Sequence, residues 1–174
     1  DEQLYHAAST TADGVAVLLD VEGTTWHGAL HNPAGSGVDA VVLQGIIGRG
    51  VTGDWGAGTW WWMSPASATS TTPTGTDMNV VNGRIDAGAT SSNKVQALFT
   101  VTVEATDGIR MRPAISQFEG TLAGLGSSTQ PLIDYVDGAI IVPPGFYVGL
   151  SFDGDAGASP LAHIGFLWKE VPIG

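Results

Sequence analysis

The sequence predicts an all-β chain folded as an antiparallel jelly-roll β-sandwich of about eight strands. Three observations carry this. Apolar runs are closed by turn residues: Ala139–Val142 stops at Pro143-Pro144-Gly145, and Phe146–Phe152 stops at Asp153-Gly154-Asp155. Proline removes a ladder donor and glycine supplies backbone angles that other residues avoid, so such clusters end strands. Helix is disfavoured, because the 25 glycines and nine prolines interrupt most windows that would hold an apolar face at i, i+3 and i+4. Finally, Phe99, Val101 and Val103 alternate with Thr100, Thr102 and Glu104, the period of a half-buried strand.

In chain order, the predicted strands are Val15–Val21, Thr25–Leu30, Val38–Ile47, Thr59–Met63, Val95–Ala105, Ile109–Arg112, Leu132–Val136, Ala139–Val142, Phe146–Phe152 and Leu161–Val171. Val38–Ile47 is apolar on both sides, which places it between two layers or at a subunit contact. Gly120–Gly126 reads equally as a helical turn or a loop. Ser64–Thr76 is low in complexity and too poor in apolar area to offset its ordering entropy, so it reads as a long exposed loop. Asp1–Ala8 reads as a mobile N-terminal arm. With no linker between composition regimes, residues 1–174 form one domain.

Composition narrows the function classes. Six basic residues against seventeen acidic ones give a net charge of −11, which opposes nucleic-acid binding. No run approaches ~18 apolar residues, so no membrane span is predicted. The absence of cysteine removes disulfides and thiolate metal sites. Charged residues make up 13% of a chain that is 43% hydrophobic, where about 25% charged is ordinary. So few charges imply that part of the surface is covered, most simply by copies of the same chain.

No catalytic or cofactor constellation stands out. Gly48-Arg49-Gly50-Val51-Thr52-Gly53 matches a dinucleotide fingerprint, but Asp54-Trp55-Gly56-Ala57-Gly58 follows where a helix must open. His27 and His31 stand four apart without an evident third ligand; His6 and His163 lie far away in sequence. Asp153 and Asp155 sit in a short turn that lacks the closing glutamate of a calcium loop. Ser36 lacks the first glycine of a nucleophile elbow. Asp107, Glu119, Asp134 and Asp137 offer carboxylate pairs only as any acidic chain does. No cofactor or metal is expected.

Trp60-Trp61-Trp62 is the most prominent side-chain feature. On a strand, Trp60 and Trp62 point one way and Trp61 the other. Tryptophan is enriched in interface cores, so Trp60, Trp61, Trp62 and Trp168 are the candidate interface residues. An exposed platform for sugar rings is the alternative.

Two segments together resemble a known group. His27-Gly28-Ala29-Leu30-His31-Asn32-Pro33-Ala34-Gly35-Ser36-Gly37-Val38 leads into the strand Asp39–Ile47, and Asp137-Gly138-Ala139-Ile140-Ile141-Val142-Pro143-Pro144-Gly145 is followed by the terminal Trp168-Lys169-Glu170-Val171-Pro172. This layout resembles jelly-roll virion proteins of tailed bacteriophages, among them the capsid cement or decoration proteins. Ser64–Ser92 has no counterpart in it. The resemblance implies a homotrimer at the capsid surface, bound to the major capsid protein where capsomers meet, with no catalytic residue. A carbohydrate- or receptor-binding β-sandwich, such as a tail knob or fibre head, is the alternative.

Overall fold

The computed structural model describes residues 3–12, 14–17, 25–50, 58–66, 72–83, 93–103, 108–117, 131–154 and 161–174, with backbone only at 115–117. Gly120–Gly126, Trp55, Asp107, Glu119 and Asp155 lie outside these. The described chain forms twelve strands. They are β1 Gln3–Ala8, β2 Val15–Ala16, β3 Thr25–Asn32, β4 Val38–Arg49, β5 Gly58–Ser64, β6 Thr74–Asp77, β7 Asn79–Asn82, β8 Gln96–Thr102, β9 Ile109–Gln117, β10 Leu132–Val142, β11 Phe146–Gly154 and β12 Leu161–Pro172.

These strands build two six-stranded antiparallel sheets. Sheet A runs β10-β4-β12-β1-β7, with β2 also on β12; sheet B runs β6-β8-β3-β11-β5-β9. From β3 to β5, and again from β9 to β12, the chain changes sheets between most consecutive strands, which is jelly-roll winding. β1, β6 and β7 are strands beyond those expected, and the expected Leu132–Val136 and Ala139–Val142 join as the single strand β10.

The main core lies between the sheets. Tyr5, Trp60, Trp62, Trp168, Phe152, Phe166 and Ile164 are its largest fully buried members. Close approach across it requires missing side chains: a Cβ on Gly45 would lie 2.6 Å from the Trp62 ring, and one on Gly28 2.6 Å from Ile164. A second cluster of Trp26, Met63, Leu98, Val101, Val103 and Tyr147, with Trp61 packed against it, belongs to sheet B residues that alternate with the main-core ones.

Three expectations are corrected. Gln3–Ala8 is no arm: β1 pairs with both β12 and β7, and Tyr5 is fully buried against Trp168. Alternating Tyr5 and Ala7 give the segment a core face, so it orders as an inner strand. Of the loop expected at Ser64–Thr76, Ser64 ends β5 and Thr74–Thr76 belong to β6; residues 67–71 are outside the described set. Phe99 does not share a face with Val101 and Val103. Thr100 adopts φ +50, which breaks the alternation and sends Phe99 to the main core and the valines to the second cluster.

The two segments that carried the phage resemblance meet at one end of the sandwich. The buried Asn32 side chain donates to the carbonyls of Val38 and Val142, both at 2.8 Å. The Gly145 N–H donates to the Asn32 carbonyl at 2.7 Å. Asn32 thus ties the β3–β4 turn to the β10–β11 turn.

Candidate interaction face

The outer face of sheet A follows from the strand register. Residues Tyr5, Ala7, Ala40, Val42, Asp134, Val136, Phe166 and Trp168 point inward, so their neighbours along each strand point out. Three cross-strand rows of outward residues lie side by side, and Asp39, paired with Val171, continues the face beyond them. Ile133 pairs with Ile46, then Gly165, then Ala8. Tyr135 pairs with Gln44, then Leu167, His6 and Val81. Ile141 pairs with Val41, then Lys169 and Leu4.

The three rows themselves hold no acidic residue, but Asp39, paired with Val171 next to the third row, and exposed Asp137 on β10 border them. The polar members of the three rows are Gln44, His6, Lys169 and Asn79, which pairs with Ala8. The exposed large hydrophobic residues of the described chain concentrate here: Ile133, Tyr135, Ile141 and Val81 lie on the face, Ile109 and Met111 lie on β9, and Ile173 alone sits elsewhere, near the C-terminus. Tyr135 is 60% exposed and Ile141 57%, so the rings and methyls stand in solvent. Exposed apolar groups clustered in this way are a common mark of interaction surfaces.

Asp134 sets the phase of β10. Its carboxylate points inward, accepting the Trp62 indole N–H at 2.7 Å and the Arg112 guanidinium at 2.9 Å. With Asp134 inside, Ile133 and Tyr135 must face out. A backbone irregularity at Asp137 (φ +50) and Gly138 (φ +82) follows, opposite the β4 ladder between Gln44 and Val42.

Beyond Ile141 the face turns a corner into a groove of about 260 Å³. Pro65 and Ala66 after β5, Met111 on β9, Ile141 on β10, and Phe146 and Tyr147 on β11 line it. Met111 is the extra residue where the β5–β9 register shifts between Trp62 and Met63.

The expected interface residues lie elsewhere. Trp60, Trp62 and Trp168 are fully buried within a single chain, so they line neither a subunit contact nor a sugar platform. They are core residues because two stacked sheets of small and branched side chains need rings to fill the interior. Trp61 does point opposite to Trp60 and Trp62. It is half-buried on sheet B, with the Arg110 guanidinium 5.4 Å from its ring centre and Arg110 paired to Asp153 at 3.0 Å.

His27 and His31 are likewise structural. His27 Nδ1 lies 3.5 Å from Ser151 Oγ, and the His27 ring meets Trp60 edge-on at 4.9 Å. This resembles a nucleophile and base, but both residues are sealed from solvent. His31 Nδ1 contacts Gln96 Oε1 at 3.0 Å. Among the described residues, no three His, Asp or Glu side chains gather as a metal site would require. Gly48 and Arg49 end β4, so the glycine-rich match begins inside a strand; its residues 51–53 lie outside the described residues.

Searches of protein-family models, curated proteins and solved structures found no match to this chain.

Proposed function

We propose that this chain is a non-enzymatic virion structural protein: a capsid cement or decoration subunit that works as a homotrimer and binds the major capsid protein where capsomers meet. The outer face of sheet A carries the reading. It is largely apolar and exposed in a chain whose core is already filled by four fully buried tryptophans. Burying such a face against copies of the chain stabilises by roughly 25 cal/mol for each Å² of apolar surface removed from water. Repetition over a shell multiplies the effect. The acidic remainder of the surface favours solubility and opposes contact with packaged nucleic acid.

The virion assignment rests on the phage-like order of elements, and it has its own test. Particles assembled without this chain, compared with complete particles, are expected to release DNA at lower temperature. Equal stability of the two would remove the cement role. The rival sugar-binding reading depended on the Trp60–Trp62 run as a platform, and within that run burial leaves only Trp61 partly accessible, beneath Arg110.

A further inference from the structure

We propose that Asp137–Gly138 is a site of spontaneous backbone modification: in the folded chain it rearranges through a cyclic imide to an isoaspartyl linkage. The sequence holds five Asp-Gly or Asn-Gly pairs, at 13–14, 82–83, 107–108, 137–138 and 153–154. Asp13 and Asp107 lie outside the described residues. The fold separates the other three.

The chemistry needs an unshielded nitrogen and a free carboxyl group. The Gly138 amide nitrogen attacks Cγ of Asp137 and forms an N–Cγ bond; the amide proton and the carboxyl hydroxyl leave as water. Water then opens the ring at either carbonyl. Opening at Cγ restores the aspartate. Opening at the main-chain carbonyl leaves the chain running through Cγ, longer by a methylene, with the freed carboxylate on Cα. Mass is unchanged, and water is the only other reactant. Glycine suits the second position because no Cβ shields its nitrogen.

Two of the three pairs are held in place. The Gly83 N–H donates to the Leu4 carbonyl at 2.7 Å, and Asn82 sits opposite Tyr5 in the β1–β7 ladder. Asp153 is ion-paired to Arg110 at 3.0 Å, and Gly154 sits opposite Gly58 in the β5–β11 ladder.

Asp137–Gly138 has neither restraint. Among the described strands, β10 is an edge strand with β4 as its neighbour. The register on β4 skips from Tyr135 to Ile140, so neither Asp137 nor Gly138 has a residue paired opposite it. The Asp137 side chain is exposed and makes no hydrogen bond or ion pair among the described residues. Asp137 also holds φ +50, a left-handed angle that strains a residue with a Cβ. The extra methylene of the isoaspartyl linkage loosens that constraint. The site lies between Tyr135 and Ile141, so the longer chain changes the spacing of two exposed residues on the sheet A face.

Ageing the purified full chain in warm, weakly acidic buffer tests this, beside a sample unfolded in guanidinium chloride. Peptide mapping with electron-transfer fragmentation tells isoaspartate from aspartate at equal mass. The 137–138 peptide is expected to react in the folded chain at close to its unfolded rate. The peptides holding Asn82 and Asp153 are expected to slow by about tenfold or more, as protected backbone does. Asp137→Asn gives a second reading, because asparagine tolerates the left-handed angle and reaches the same imide by losing ammonia. That variant carries two described Asn-Gly pairs of equal chemistry, and position 137 is expected to deamidate about tenfold or more faster than Asn82 in the folded state. A 137–138 peptide that stays unmodified in the folded chain while the unfolded sample reacts overturns the proposal. So does a folded Asp137→Asn variant in which Asn82 deamidates as fast as position 137.

Discussion

The Trp62 indole N–H donates to Asp134 Oδ2 at 2.7 Å across the sandwich, from β5 of sheet B to β10 of sheet A. A carboxylate buried among apolar side chains is costly unless its oxygens are satisfied. Here Trp62 takes one oxygen and Arg112 the other. The pair joins the two sheets and orients β10 so that Tyr135 and Ile133 reach solvent.

Asp134→Ala is expected to destabilise the fold by about 2–4 kcal/mol, because it leaves a buried indole N–H without a partner and removes the ion pair. Arg112→Met is expected to cost less than about 1 kcal/mol, since the guanidinium is 37% exposed and screened by water. Urea melts of both variants check the contrast. Equal losses would mean that the ion pair, not the indole bond, holds β10.

Glu170 makes a second interior tie. Its Oε1 accepts the backbone N–H groups of Lys94 (2.8 Å) and Val95 (2.9 Å), anchoring the start of β8 to β12. Glu170→Ala is expected to cost about 2–3 kcal/mol and to speed amide exchange at Lys94 and Val95. Unchanged exchange at these two amides would show that the tie is dispensable.

Gly45→Ala is expected to destabilise by about 1–3 kcal/mol through overpacking. The added methyl would lie 2.6 Å from the Trp62 ring and 3.2 Å from Leu150. A thermal melt measures it, and a neutral result would mean that the Trp62 ring moves freely.

Trp60→Ala is expected to cost about 3–5 kcal/mol as a core cavity. Trp61→Ala is expected to cost about 1–2 kcal/mol, from partial burial and a cation–π contact worth about 0.5–1 kcal/mol. Both losses should appear in the monomer's own melting curve, independent of protein concentration.

Much of the fold was legible in the sequence, because prolines and glycines punctuate it. The β3–β4 and β10–β11 turns fall at Asn32-Pro33 and Pro143-Pro144, where ring geometry and missing donors leave the chain little choice. The alternation of Trp60, Trp61 and Trp62 was also readable, but not which side was the core. Sequence marks tryptophan as sticky without saying whether the sticking is internal. β1 was missed because Gln3–Ala8 gains strand order only from β12 and β7, which are far away in sequence. The interaction face was hidden for a similar reason. Tyr135 and Ile133 flank Asp134, and hydropathy alone would put the aspartate outside; only its pairing with Trp62 and Arg112 reverses the strand.

The most direct test of the central claim is native mass, measured side by side for the unmodified chain and Tyr135→Asp across a range of salt. The unmodified chain is expected at three times 17.9 kDa, more tightly assembled as salt screens the net charge of −11 over a Debye length falling from about 30 Å to about 8 Å. The variant is expected to stay a folded monomer. An unmodified chain that remains monomeric at every salt, or a Tyr135→Asp variant that assembles equally well, would contradict the claim that sheet A's outer face joins copies of this protein.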